Sequence, residues 1–315
     1  MAMDSVDQCL AMNTGSPKNL ILPDGRLLAY RQRPGCGRPL VLVHGLMDCS
    51  GGWKSFIART DRPVVAFDLP GMGLSERPTR PELSAYAEDL ADGIEDLKLN
   101  DFTLVGHSLG GAVVTALAEL IPHKVAALVL LAPSCFGRIT ASELCSAPVV
   151  KQILRGALPL ALANPFTATG IYMAMANGRM PDRALLGRLR SSALRTAEGV
   201  QMAVKATADH GRSKDAFFLR QVGYHGPVCA LWGSKDRIVS DSHAEGVLTA
   251  FPQARITVWE GMGHHPQRER AADLTDFVER AAARTRGPRR GHLELVPPIE
   301  PQPAAPSPAR LTIAA

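Results

Sequence analysis

Two hydrophobic periods alternate along the chain. Continuous apolar runs at Pro39–His44 (PLVLVH), Pro63–Asp68 (PVVAFD), Phe102–Gly106 and Val125–Ala132 have the length and the β-branched content of strands covered on both faces. Segments with helical spacing lie between them. Ala85–Leu99 places Leu90, Ile94 and Leu97 among acids, as an amphipathic helix would, with Ser84 as its N-cap. Trp53–Arg59 reads as a short helix, and Leu109–Leu120 as another that stops at Ile121-Pro122. Upstream, Asn19–Leu22, Pro23-Asp24-Gly25 and Arg26–Arg33 read as strand, turn and strand, because Pro fixes φ, Asp bonds its own backbone and Gly tolerates positive φ. This series predicts an α/β fold: a mostly parallel sheet flanked by helices.

The alternation breaks after Pro133. Residues 134–225 are mainly helical in pattern, punctuated by Pro148, Pro159, Pro165 and Pro181. Alternation resumes with Pro227–Trp232 (strand), Asp241–Ala250 (helix), Ala254–Trp259 (strand) and Arg268–Arg284 (helix). The expected organisation is therefore a core in two parts, 19–133 and 226–285, interrupted by a helical insertion at 134–225. Residues 1–18 read as a flexible leader. Residues 286–315, rich in Pro and Ala, read as a disordered tail.

Composition narrows the function. The formal net charge of +5 reads as partly in the tail (Arg286, Arg289, Arg290, Arg310) and otherwise mixed with acids. Aromatics are 5%, and no basic stripe is interleaved with them, which argues against nucleic-acid binding. Cys9, Cys36, Cys49, Cys135, Cys145 and Cys229 are irregularly spaced without a C-x-x-C pair. They read as free thiols in a reducing compartment, with neither a disulfide framework nor a zinc site. Met1–Lys18 has no apolar signal core, and the longest apolar run, Val125–Pro133, is too short to span a bilayer. The expectation is a soluble cytoplasmic protein; oligomeric state is left open.

One motif carries chemistry. Gly106-His107-Ser108-Leu109-Gly110 fits G-x-S-x-G, and it lies between a buried strand and a helix, the context in which this motif is meaningful. A turn that sharp would lift the Ser108 hydroxyl above the sheet edge, and its glycines would remove side chains that clash with neighbouring strand and helix. The helix that follows points its positive end at the same place.

From about Leu20 to Arg284 the chain resembles the α/β-hydrolase family. The resemblance rests on Val43-His44-Gly45, Asp68-Leu-Pro-Gly-Met-Gly-Leu-Ser75, Gly106–Gly111, the Gly233–Ser240 segment and Gly261-Met-Gly-His264. It implies a serine nucleophile, Ser108, followed in the chain by an acid and then a histidine. Asp236 matches the acid, in a segment where the family often has a proline at the position of Ser240. The other place where some members carry the acid reads Ala132-Pro133-Ser134 here, without a carboxylate. His264 matches the base, with the adjacent His265 as its competitor. The oxyanion donors implied are the backbone N–H groups of Leu109 and Leu46, with Met47 as an open alternative to Leu46. His44 and His107 recur in the family in architectural or pocket-lining roles, and Asp68–Ser75 is expected to be scaffold, with Asp68 tied to His44 or a nearby backbone.

The insertion resembles the family's cap. Its Leu154, Leu158, Leu160, Leu162, Phe166, Ile171, Tyr172, Met173 and Met175 are expected to pack it onto the core, with some lining the pocket over Ser108. Arg183, Arg188, Arg190 and Arg195 read as a solvated helix face. The activity implied is hydrolysis of carboxylic esters or thioesters of small to medium apolar substrates through an acyl-enzyme, with no cofactor and no metal. The family's aspartate nucleophile, used by dehalogenases and epoxide hydrolases, is absent. Acyl transfer, carbon–carbon bond hydrolysis and cofactor-free peroxidation remain alternatives on the same triad, as does a non-catalytic ligand-sensing role.

Overall fold

The computed structural model describes residues 15–138, 145, 147–175, 180, 183, 186–187, 193–283 and 292–296. Its strands are β1 (Pro17–Ile21), β2 (Leu27–Arg33), β3 (Leu40–Val43), β4 (Val64–Phe67), β5 (Phe102–His107), β6 (Val125–Leu131), β7 (Val228–Gly233), β8 (Arg255–Trp259) and β9 (His292–Val296). Among the described residues they form one sheet in the order β1-β2-β4-β3-β5-β6-β7-β8-β9. β2 runs antiparallel to β1 and β4, and every other pairing is parallel. The helices are α1 (Lys54–Ile57), α2 (Leu83–Asp96), α3 (Leu109–Leu120), α4 (Pro148–Ala163), α5 (Pro165–Met175), α6 (Ala193–Arg212), α7 (Ala244–Ala250), α8 (Pro266–Glu269) and α9 (Ala271–Ala282).

The continuous apolar runs are buried at every position in β3, β4, β5 and β6, as strands covered on both faces must be. Alternate residues feed two layers. Val41, Val43, Leu104, Leu128 and Leu130 face a layer with Tyr86, Leu90 and Ile94 of α2 and Val113 and Leu117 of α3. Leu40, Leu42, Val105, Val129 and Leu131 face the opposite layer, with Trp53, Phe56 and Ile57 near α1 and Leu274, Phe277 and Val278 of α9. The chain leaves β3 toward β4 on one side and returns as β5 on the other. Strand order thus reverses between β3 and β5, and a ligand crevice belongs beyond the carboxyl ends of the strands there.

Several sequence expectations differ from the structure at element ends. β1 begins at Pro17, inside the stretch read as leader; a proline is tolerated at the first position of an edge strand. α2 starts at Leu83 with Glu82 in the N-cap position, so Ser84 lies inside the helix. Arg268–Arg284 divides into α8 and α9 at Arg270. Within the tail, His292–Val296 pairs in parallel with β8, so this part is not free chain. The period-two pattern of HLELV is a strand signal that the Pro- and Ala-rich surroundings masked. The remaining leader and tail residues, 1–14, 286–291 and 297–315, lie outside the described residues. The insertion contains α4, α5 and α6 and a short helical turn at Phe217–Leu219.

Candidate active site

β5 ends directly in the Ser108 turn. Ser108 has φ 54° and ψ −118°, a backbone conformation costly for a non-glycine residue, by about 1–3 kcal/mol. Neighbours hold it there: Ser108 N–H donates to Leu131 O (2.9 Å), and Ser108 O accepts from Gly111 N (2.9 Å) and Ser134 N (3.0 Å). The flanking glycines are obligatory. A Cβ at Gly106 would lie 2.4 Å from Val114 Cγ2 and 2.5 Å from Gly110 O, and one at Gly110 would lie 2.4 Å from His44 O. α3 and β3 therefore approach the turn only because these positions lack side chains.

Asp236 lies in the turn after β7. Its Oδ1 accepts from Ile238 N (2.8 Å) and Val239 N (3.0 Å), and its Oδ2 lies 2.6 Å from His264 Nδ1. Burial works to raise the Asp236 pKa, but the hydrogen bond and charge of His264 and the two amides hold it below the ordinary carboxylate value. The carboxylate is thus ionised and fixed in orientation. The loops after β7 and β8 touch because position 233 is glycine: a Cβ there would lie 2.2 Å from Met262 O.

Of the two adjacent histidines, the structure brings His264 onto Asp236. The His265 ring stacks on Tyr172 of α5, with centroids 6.1 Å apart and planes 18° apart. The histidine loop is braced from two sides. His107 Nε2–H donates to His264 O (2.7 Å), while Gln267 donates to His107 Nδ1 (3.3 Å). Burial, helped by the neighbouring His264, pushes the His107 pKa down to about 3, so this ring is neutral and serves as a fixed donor. The Glu269 carboxylate accepts from Gly263 N (2.9 Å) and His265 N (3.0 Å).

The loop after β3 carries Leu46, with Met47 beside it at φ 59°. His44 is structural here: its Nε2 accepts from Leu69 N (2.9 Å) and its Nδ1 donates to Gly45 O (2.7 Å). Asp68 ties its own loop to this one, accepting from Ser50 N (2.6 Å) and Leu74 N (2.9 Å). Asp48, buried in the same loop, pairs with Arg268 at 2.8 Å. Its burial works to raise its pKa, yet Arg268 and other neighbours hold it low. Asp48, Arg268, Gln267 and Glu269 were not found from sequence. Arg268 is 220 residues from Asp48 and Gln267 is 160 from His107, so no local spacing signals these pairs.

Ser108, Leu46, Leu109, His107, His264 and His265 line one cavity of about 80 Å³. Its other walls are Ser134, Ile238 and Val239, and Ala203, Val204 and Thr207 of α6. None of the cap residues expected from sequence is among them. Leu162 and Tyr172 are instead buried against Met47, and Leu160 and Phe166 point to solvent. Periodicity could show that these residues were apolar but not which helix would cross the sheet edge. The side chain of Met175 lies outside the described residues, as do Arg188 and Arg190. Arg183 is exposed, whereas Arg195 donates to Gly73 O (3.1 Å) and is a tie between cap and core. Cys36 is exposed, Cys145 is half-buried and Cys49, Cys135 and Cys229 are buried, while Cys9 lies outside the described residues. Among the described residues no group of three or more His, Cys, Asp or Glu could hold a metal ion.

Residues 38–271 match the family profile described as the alpha/beta hydrolase fold. An uncharacterized protein of Mycobacterium tuberculosis is 29% identical over 273 residues, covering 78% of this chain and 75% of that one. The dihydrolipoyllysine-residue acetyltransferase component of the acetoin cleaving system of Pseudomonas putida is 31% identical over 258 residues, covering 79% of this chain and 65% of that protein. Among solved structures, a putative lipase from Acinetobacter baumannii superposes with a TM-score of 0.70 at 20% identity, over 89% of this chain and 97% of that one.

Proposed function

The chain belongs to the alpha/beta hydrolase fold family, and from that premise we propose that it is a serine hydrolase that cleaves small apolar carboxylic esters or thioesters through an acyl-enzyme. The observation that carries this reading is the cavity lined by both Ser108 and His264, the latter paired behind it with Asp236. A serine hydroxyl is a poor nucleophile near neutral pH unless a base takes its proton as it attacks. His264 Nε2 is that base, because Nδ1 is committed to the ionised Asp236, which also stabilises the imidazolium formed. The Leu46 and Leu109 N–H groups hold the oxyanion, each worth about 3 kcal/mol in the transition state. His264 then protonates the leaving alcohol or thiol, and a water it deprotonates releases the acid from Ser108. These steps balance without a cofactor.

The mainly aliphatic walls at Leu46, Leu109, Val204, Ile238 and Val239 support an apolar acyl or alcohol group. A fluorophosphonate probe should label Ser108 in folded protein, and Ser108→Ala should abolish both labelling and p-nitrophenyl ester turnover. An unlabelled Ser108 in active protein would remove the nucleophile from this reading. The acetyltransferase name of the P. putida relative favours one second reading, transfer of the acyl group to an acceptor other than water. Product analysis with added alcohol or thiol separates the two.

A further inference from the structure

One buried aromatic of the cap reaches both loops of the site without lining the cavity. Tyr172, on α5, is 5% exposed and shares an apolar cluster with Met47, Leu162, Ala197 and Val200. Its ring stacks on His265, and the Arg268 guanidinium carbon lies 5.6 Å from its centroid. Arg268 N donates to His265 O (3.0 Å), so the single turn that begins α8 presents both side chains to one ring. A planar cation over an aromatic face is attracted by the ring quadrupole, and more strongly where water is excluded.

Each partner of Tyr172 leads to the site. The His265 ring lies 5.2 Å from the His264 ring and 5.1 Å from the His107 ring, centroid to centroid, and forms part of the cavity wall. Arg268 leads the other way, to Asp48 in the loop that carries Leu46. Asp48 Oδ1 also accepts from Cys49 N (2.9 Å), while its Oδ2 is buried without a hydrogen-bond donor among the described residues. A carboxylate in that position depends on its cation, so a shift of Arg268 would be felt in the Leu46 loop. Glu269 braces the histidine loop internally, but it does not fix where that loop stands relative to the cap. Packing alone needs only an apolar side chain, as Leu162 supplies in the same cluster. Holding an imidazole and a guanidinium together calls for a flat ring.

We propose that Tyr172 is a positioning residue: a cap side chain that holds His265 and Arg268, and through them keeps the His264 loop and the Leu46 loop in register across the cavity. Its effect on turnover rests on the serine-hydrolase reading, whereas its effect on loop order does not.

Tyr172→Leu keeps apolar bulk without a ring, and Tyr172→Phe keeps the ring. In the full chain, Tyr172→Leu should lower kcat for p-nitrophenyl acetate about tenfold or more and change KM less than about threefold, because displaced reacting groups cost rate before they cost binding. Tyr172→Phe should keep at least about half of the wild-type kcat. Amide hydrogen exchange at residues 45–49 and 263–269 should speed up in Tyr172→Leu and stay near wild type in Tyr172→Phe, with β3 and β8 equally protected in all three. Tyr172→Met, which fills the space with a flexible chain, should repeat the leucine result and serves if leucine prevents folding. Wild-type kcat in both ringless variants would overturn the proposal, as would a phenylalanine variant that falls as far as they do. If the wild type turns over no ester, the serine-hydrolase reading fails, and exchange decides alone: unchanged protection of both loops in the ringless variants would overturn the role given to Tyr172.

Discussion

Replacing Asp236 by Asn tests the site at its most constrained point. The change is nearly isosteric, and the side-chain oxygen at the Oδ1 position can still accept from Ile238 N and Val239 N. What changes is the group 2.6 Å from His264 Nδ1, which becomes an amide donor where an acceptor stood. His264 must then present Nδ1 as an acceptor and carry its proton on Nε2, which can no longer take one from Ser108. The wrong tautomer and the lost stabilisation of the imidazolium together cost about 10⁴-fold in kcat, or about 5.5 kcal/mol. Stability should fall by less, about 1.5–3 kcal/mol for one charge-assisted hydrogen bond. That loss has a pH signature. The folded pKa of Asp236 is depressed, so its contribution is complete above the unfolded value near ~3.9 and disappears as pH falls through the folded value. Wild type and Asp236→Asn should therefore converge in melting temperature only in strong acid. Steady-state turnover of a p-nitrophenyl ester and nitrogen-15 spectra of the imidazole give the two readouts. A variant retaining more than about a tenth of wild-type kcat, or one whose His264 keeps its proton on Nδ1, would refute the assigned roles.

Three further outcomes follow from contacts around the site. His107 has a folded pKa of about 3, far below its unfolded value, so wild-type stability should drop as pH falls from about 6.5 toward 3, by at most about 1.4 kcal/mol per pH unit from this group; His107→Gln should flatten that slope in urea titrations. Arg268→Met should destabilise the fold and lower kcat by leaving the Asp48 carboxylate buried beside the oxyanion loop, and adding Asp48→Leu should restore stability without restoring kcat; a chemical melt of both variants that shows no recovery would argue against the pair. Val204→Ala enlarges the α6 wall of the cavity and should move the preferred p-nitrophenyl ester toward longer acyl chains by about one or two methylenes, while an unchanged chain-length profile would place the acyl group elsewhere.

The strands and helices of the core were legible because their signals are local. Val43, Val105 and Leu131 belong to unbroken apolar runs, and Ser108 lies between two glycines whose absent side chains the turn demands. The placements of Asp236 and His264 were legible through the segments around them, each just past a strand end. The braces were not. Nothing near Glu269 in the sequence marks it as the acceptor for Gly263 and His265, and nothing near Arg268 points to Asp48. The cap was legible as helix but not as geometry, because apolar periodicity gives each helix a face without saying what that face meets. Leu160 and Phe166 were expected inside and lie outside. β9 was hidden for the opposite reason, since five residues of strand pattern weigh little in a tail dominated by Pro and Ala.

The same contacts also constrain how a substrate can enter. α6 forms the cap wall of the cavity, and it is pinned to the core where a Cβ on Gly199 would lie 2.0 Å from Gly71 O. Arg195 holds Gly73 O, and Arg77 pairs with Glu198 across the same junction at 3.0 Å. The core loop on the other side of these contacts is itself fixed by Asp68, which also holds the Ser50 amide beside the oxyanion loop. Lifting α6 would thus pull on the loop that carries Leu46, and opening by that route would disturb the oxyanion donors proposed above. The inner face of α4 meets α6 and Met47 through aliphatic side chains, which slide and repack more readily than a backbone-to-backbone contact. Displacement of α4 over a stationary α6 would leave the Gly199, Arg195 and Arg77 ties in place.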